Sequence, residues 1–170
     1  QPSFRKSPIF NGLLSLLAVA AAYWPIPGLP GQQALPKAAV PLQVRAVELP
    51  SPRNPLRLAG AWELEAGDGR FGGLSALAID GDRFLAVTDR GAAVRFGFPT
   101  TPRPRAELVD LRQGPGTFGK KWSRDAESLA RDARGRGWWV GFEQNHSLWL
   151  YGTDFDRALA DIDLKRTNWL

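Results

Sequence analysis

The stretch LSALAIDGDRFLAVTDRGAAVRFGF, residues 74–98, decides the fold class of this chain. It contains three short apolar runs, and the turns Asp80-Gly81-Asp82 and Asp89-Arg90-Gly91 separate them. An Asp-Gly pair between two apolar runs is a strong signal for a β-hairpin. The stretch therefore predicts an antiparallel meander.

A second meander repeats the order of runs and turns. Its parts are the run Ser128–Asp132, the Gly-rich turn 134–137, the run 138–142, the turn 143–146 and the run 147–151. Asp89 then corresponds to Glu143, and Val94 to Leu148, at a constant offset of 54 residues. A unit of three to four strands that repeats at roughly 50 residues is typical of β-propeller blades. The alternative is a chance similarity between two unrelated meanders.

The composition agrees with a β-rich domain and excludes several classes of site. The 18 glycines and 14 prolines indicate many turns. The chain has no cysteine, which excludes disulfides, zinc-thiolate sites and thiol nucleophiles. The net charge is +5, but the basic residues between 112 and 136 alternate with Asp125, Glu127 and Asp132. Such a mixed surface argues against nucleic acid as a partner.

An uncharged segment near the N-terminus, PIFNGLLSLLAVAAAYW at residues 8–24, predicts one transmembrane helix. Arg5 and Lys6 suit the cytoplasmic side, and Tyr23 and Trp24 suit the far interface. We expect a single-pass protein of the inner (cytoplasmic) membrane, with its C-terminal domain in the periplasm. A cleavable signal peptide is the competing interpretation, because small residues follow the apolar stretch.

The predicted organisation has four parts. Residues 1–7 are a cytoplasmic N-terminus, residues 8–24 the transmembrane helix, residues 25–55 a Pro-rich extracytoplasmic tether, and residues 56–170 a β domain. Within the tether, residues 42–47 alternate as a first strand does. The predicted fold class is mainly β, with propeller-like meander repeats behind one helix.

Four segments in this order resemble the bacterial "esterase-like activity of phytase" family. They are GGLSALAID at 72–80, LAVTDRG at 85–91, DAESL at 125–129 and WVGFEQNH at 139–146. The resemblance covers about residues 55–170 and implies a β-propeller-like fold with phosphate-ester or ester hydrolysis. A propeller of four or more blades needs some 200 residues or more. We therefore expect a partial phytase-like domain.

The resemblance to phytase-type propellers also implies calcium, bound by carboxylates at the ends of blades. Asp89, Glu127 and Glu143 stand at positions that supply such ligands. His146 is the only histidine, so histidine acid–base chemistry depends on it, and Arg90 complements an anionic group. Each residue also has a structural interpretation, as a turn residue or a partner of backbone groups.

Two functions follow from these features. The favoured one is a non-catalytic accessory subunit, whose helix packs against the transmembrane subunits of a larger, bioenergetic complex in the lipid bilayer. Small residues at 12, 18 and 20–22 allow close helix packing. The alternative is a calcium-dependent extracytoplasmic hydrolase of phosphate esters or esters.

Overall fold

The computed structural model describes residues 34–50, 57–117 and 121–166, which belong to one compact unit. The described part is built from β-strands and two short 3-10 turns, Lys121–Ser123 and Leu164–Arg166. The strands are β1 (Ala38–Ala46), β2 (Trp62–Ala66), β3 (Leu74–Asp80), β4 (Arg83–Thr88), β5 (Ala92–Gly97), β6 (Arg105–Asp110), β7 (Ala126–Arg131), β8 (Gly137–Phe142), β9 (Ser147–Gly152) and β10 (Ala158–Asp163). The prediction of a mainly β chain is confirmed.

The predicted transmembrane helix at residues 8–24 lies outside the described residues, as do residues 1–7 and 25–33. Within the described ranges, no helix has the length and apolar character needed to cross a membrane.

The strands form two antiparallel sheets. The six-stranded sheet has the order β2-β1-β6-β5-β4-β3, and the four-stranded sheet has the order β10-β9-β8-β7. Strands β3 to β6 are one meander and β7 to β10 are another. The runs and turns of the sequence predict the first three strands of each meander, and β6 and β10 are additional. Strand β7 lies beside β3 and β4, so the first strands of the two meanders are neighbours.

Strand β1 curls the larger sheet. Residues 38–41 pair with β6, whereas residues 42–46 pair with β2. Pro41 stands at the change of partner, and the next amide, of Leu42, donates to the Pro104 carbonyl at 2.9 Å. A proline is tolerated there because the ladder changes partner and needs no N–H. The predicted tether, residues 25–55, therefore contains strand β1, and residue 55 does not mark the beginning of the sheet.

The two meanders share an irregularity at the same place. A β-bulge shifts the β3–β4 register between Leu74 and Ala76, and another shifts the β7–β8 register between Ala126 and Ser128. The extra residues, Ser75 and Glu127, therefore occupy equivalent positions. The shared bulge supports a true structural repeat.

The strand registers also correct the predicted correspondence between β5 of the first meander and β9 of the second. Ala86 and Val140 are equivalent, and their partners are Val94 and Trp149. The predicted match of Val94 with Leu148 is therefore wrong by one residue. The reason is that the turn after β8 is one residue longer than the turn after β4.

Two apolar cores hold the strands together. One joins the two sheets and contains Leu85 and Val87 from β4 with Val140 and Phe142 from β8. The other lies on the opposite face of the larger sheet, under β1 and β2. Val140 of the second meander lies in the first core, and its counterpart Ala86 of the first meander lies in the second core. The same face of each meander is therefore buried, each in a different core. The meanders thus stack in the same sense, as propeller blades do.

Candidate functional site

The bulge in β7 places Glu127 at the boundary between the two meanders. A bulge re-aims the side chain of its extra residue, and bulges are common beside active sites. The equivalent residue on the neighbouring strand, Ser75, donates its hydroxyl proton to the Gly73 carbonyl oxygen at 3.2 Å and lies close enough to the Glu127 carboxylate to influence the pKa of Glu127. The repeat therefore brings these two bulged residues together.

Two further carboxylates join Glu127. The Glu143 amide donates to the Asp125 carbonyl at 3.1 Å, which fixes the turn after β8 against the residue before β7. One carboxylate oxygen from each of Asp125, Glu127 and Glu143 lies within 4.8 Å of the other two. We call these three residues the carboxylate cluster.

The three side chains of the cluster differ in their exposure to solvent. Glu127 and Glu143 are exposed, whereas Asp125 is half-buried. Asp125 Oδ1 is itself buried and has no hydrogen-bond partner among the described residues. A buried carboxylate oxygen without a partner is costly, and a bound cation removes that cost.

The electrostatics of Glu127 reflect this crowding. Loss of water around its carboxylate raises the pKa of Glu127, and the neighbouring Asp125 and Glu143 raise it further. Like charges at short range disfavour a second ionisation, while the Ser75 hydroxyl acts in the opposite direction. The three side chains therefore repel one another when all are ionised, and a divalent cation relieves that repulsion.

A hard cation fits this set of donors. Calcium prefers oxygen ligands, which include Asp and Glu carboxylates, at about 2.3–2.6 Å. Three carboxylates within mutual reach, one of them with an unsatisfied buried oxygen, provide such ligands. Asp125, Glu127 and Glu143 are the residues that would hold the ion.

Asp89 is not part of the carboxylate cluster, although the sequence predicted it together with Glu127 and Glu143. It is the counterpart of Glu143, because its amide donates to the Gly73 carbonyl at 3.0 Å, as that of Glu143 donates to Asp125. Its carboxylate packs against Gly73, where a Cβ would lie only 2.3–2.5 Å from the carboxylate atoms. In the first meander Gly73 and Ser75 stand where the second has Asp125 and Glu127.

His146 and Arg90 lie in equivalent turns, close to the cluster in sequence. His146 adopts a left-handed conformation (φ 48°), and its ring Nδ1 contacts the carbonyl oxygen of Glu143. Arg90 is exposed and donates to the Gly69 carbonyl at 2.6 Å. His146 therefore has a contact within its own turn, whereas Arg90 contacts the loop between β2 and β3.

The segment before β7 is fixed by buried polar contacts that the sequence did not reveal. Arg124 is almost completely buried, and its guanidinium donates to the carbonyls of Gly114 and Pro115 at 3.3 and 3.2 Å. Burial lowers the pKa of Arg124. Asn145 donates to the Ser123 carbonyl at 2.7 Å and so ties this segment to the turn that carries Glu143. These contacts hold Asp125 in place.

A curled, meander-built β domain with carboxylates beside the first strands of two stacked blades defines a propeller-like class. The chain belongs to the phytase-like family described as "esterase-like activity of phytase", whose model matches residues 69–168. This confirms the resemblance found in the sequence. No curated protein and no solved structure matches the chain.

Proposed function

We propose that this chain is a cation-dependent hydrolase of esters or phosphate esters, with the carboxylate cluster as its metal site. The observation that carries the proposal is the group of Asp125, Glu127 and Glu143, whose oxygens lie within 4.8 Å of one another. Membership of the esterase-like family supports it. Water supplies the hydroxyl group to the acyl or phosphoryl product and a proton to the departing alcohol.

The roles of the chain's own residues follow from their positions. The three carboxylates bind the cation, and the bulge in β7 orients Glu127 toward the other two. A bound calcium ion would supply positive charge for an anionic or polarised substrate oxygen. Arg90 and His146 stay candidates for contacts with the substrate, since His146 shares its turn with Glu143 and the turn of Arg90 contacts Arg124, the neighbour of Asp125.

Hydrolysis of 4-nitrophenyl phosphate and 4-nitrophenyl acetate, with calcium or with a chelator, tests the proposal. We expect calcium-dependent release of nitrophenol, and Glu143→Gln should lower kcat/KM at sub-saturating calcium by about tenfold or more, the size of effect seen when metal sites are perturbed. Glu65→Gln removes the same charge from the exposed side of β2 and should leave the rate unchanged. Absence of calcium-dependent hydrolysis in the full chain contradicts the proposal.

We also propose that the domain is carried by the apolar segment 8–24 on the periplasmic face of the inner membrane, as part of a complex with other transmembrane subunits. Exposed apolar side chains on the edge strand β10 support a covered surface, since Leu159 and Ile162 are each 41% exposed. Co-purification with stoichiometric partners in detergent is the expected result. A stable monomer purified alone from membranes contradicts the accessory role.

A further inference from the structure

An apolar groove runs between β2 and β3, the two edge strands of the curled six-stranded sheet. Its volume is about 340 Å³. Ligand pockets commonly enclose roughly 300–1,000 Å³, so the groove has room for a small molecule. Its principal lining residues are Trp62, Leu64, Leu74, Leu77, Phe84 and Phe96.

Among the residues that the structure describes, no charged side chain lines the groove. Phe84 and Phe96 form its aromatic floor, with their ring centroids 5.5 Å apart. Trp62 and Leu77 remain 41% and 60% exposed at its rim. This largely apolar surface suits an alkyl chain better than a phosphate or another charged group.

The groove is continuous with the carboxylate cluster through one residue. Ser75 lines the groove at the bulge of β3, and Glu127 occupies the equivalent bulge of β7, which lies beside β3. A molecule seated in the groove therefore has one end beside the cluster. This continuity favours a substrate that is apolar along its length and polar at one end.

We propose that the apolar groove binds the acyl chain of a carboxylic ester, with the ester carbonyl placed at the carboxylate cluster. The inference rests on the proposed hydrolase function and names its substrate class as medium-chain acyl esters. A linear acyl chain matches the groove in chemistry and in volume, and Ser75 marks the point where the chain meets the polar end.

Hydrolysis of 4-nitrophenyl acetate, butyrate and octanoate by the full chain with calcium tests the inference. Transfer of each CH₂ from water into an apolar site favours binding by about fourfold, so kcat/KM should rise at least about tenfold from acetate to octanoate. Leu77→Gln should flatten this dependence, because it should lower kcat/KM for octanoate much more than kcat/KM for acetate. Ile79→Gln is the matched control, because Ile79 is exposed on the same strand and does not line the groove.

A binding measurement separates the groove from the chemistry. Addition of 1-octanol should shift the amide resonances of residues 74–77 in ¹⁵N NMR spectra, and ethanol should not. If 1-octanol causes these shifts but no ester is hydrolysed, the groove binds alkyl chains and the proposed hydrolase function is wrong. If kcat/KM is equal for the three esters and 1-octanol shifts no amide of residues 74–77, the groove does not bind acyl chains.

Two other occupants would also overturn the inference. If removal of residues 1–33 alone shifts the amides of residues 74–77, the chain's own apolar segment fills the groove. If the same amides shift with protein concentration, a second copy fills it.

Discussion

Arg70 shows how single ion pairs attach the first strand to the rest of the domain. The side chain is 8% exposed, donates to Asp68 Oδ2 at 2.7 Å and also reaches the Pro36 carbonyl at 3.0 Å. The hydrogen bond from Arg70 lowers the pKa of Asp68 below its ordinary 3.8. The approach to β1 and the loop before β3 are therefore joined by a charged contact with little access to water.

This contact predicts a pH-dependent stability. Because Asp68 has the lower pKa in the folded state, its contribution is complete above the ordinary value and is lost as the pH falls through the folded pKa. Asp68→Asn should cost about 2 kcal/mol at neutral pH, since it leaves Arg70 poorly partnered. In urea unfolding, the difference from the native protein should be constant above about pH 5 and shrink below about pH 4.

The control for this prediction is Asp156→Asn, which removes an exposed carboxylate. It should change the unfolding free energy by less than about 0.5 kcal/mol at every pH. If the difference in unfolding free energy between Asp68→Asn and the native protein stays constant down to pH 3, the pH dependence does not come from Asp68.

At the scale of elements, the loop that leads into β3 depends on a close backbone approach. Gly73 has φ +55°, and a Cβ there would lie 2.3 Å from the Asp89 carboxylate. Gly81, in the turn between β3 and β4, has a similar φ of +67° but open space around it. The two glycines therefore differ in crowding rather than in backbone conformation.

We expect Gly73→Ala to destabilise the domain by about 2–3 kcal/mol, because both backbone strain and a clash with Asp89 oppose it. Gly81→Ala should cost only about 1 kcal/mol, from the strained φ alone. Chemical denaturation of both variants measures the difference. Equal costs would show that Asp89 moves freely away from Gly73.

The sequence predicted those elements whose signals are local. Short apolar runs separated by turn residues located the hairpins of both meanders, and the resemblance to the phytase-like family selected Glu127 and Glu143. Asp125 was missed because its place in the cluster depends on its backbone bond to Glu143, a long-range pairing with no local pattern. The sequence pattern also selected Asp89, because it occupies the position of Glu143 in the first meander. Beside Asp89, however, stand Gly73 and Ser75 in place of the carboxylates Asp125 and Glu127.

The curl of the larger sheet was also beyond local prediction. Prolines in residues 25–55 indicate an extended chain, which is compatible with a tether and with a strand that has a break in its ladder. The change of partner at Pro41 depends on where β2 and β6 lie. The apolar groove exists only because β2 and β3 end as facing edges of the same curled sheet.

On the scale of the whole molecule, the core between the sheets makes them one folding unit. Phe142 on β8 is 2% exposed and packs with Leu85 and Val87 from β4. Phe142→Ala should lower the unfolding free energy by about 3–5 kcal/mol. Far-UV circular dichroism and tryptophan fluorescence should still report one coincident transition.

Phe98→Ala is the control for this prediction, because Phe98 lies after β5 and is 43% exposed. Its cost should stay near 1 kcal/mol, since a half-exposed ring loses less on truncation. Two separate transitions, one for each sheet, would contradict a shared core.

The central claim is that a cation binds to Asp125, Glu127 and Glu143 where the two meanders meet. Calorimetric titration of calcium into the native chain, Asp125→Asn and Asp89→Asn tests it most directly, because both variants remove one carboxylate and only one of them belongs to the cluster. We predict one site per chain, a Kd raised about tenfold or more in Asp125→Asn, and native affinity in Asp89→Asn. No calcium binding, or a loss confined to Asp89→Asn, would contradict the account.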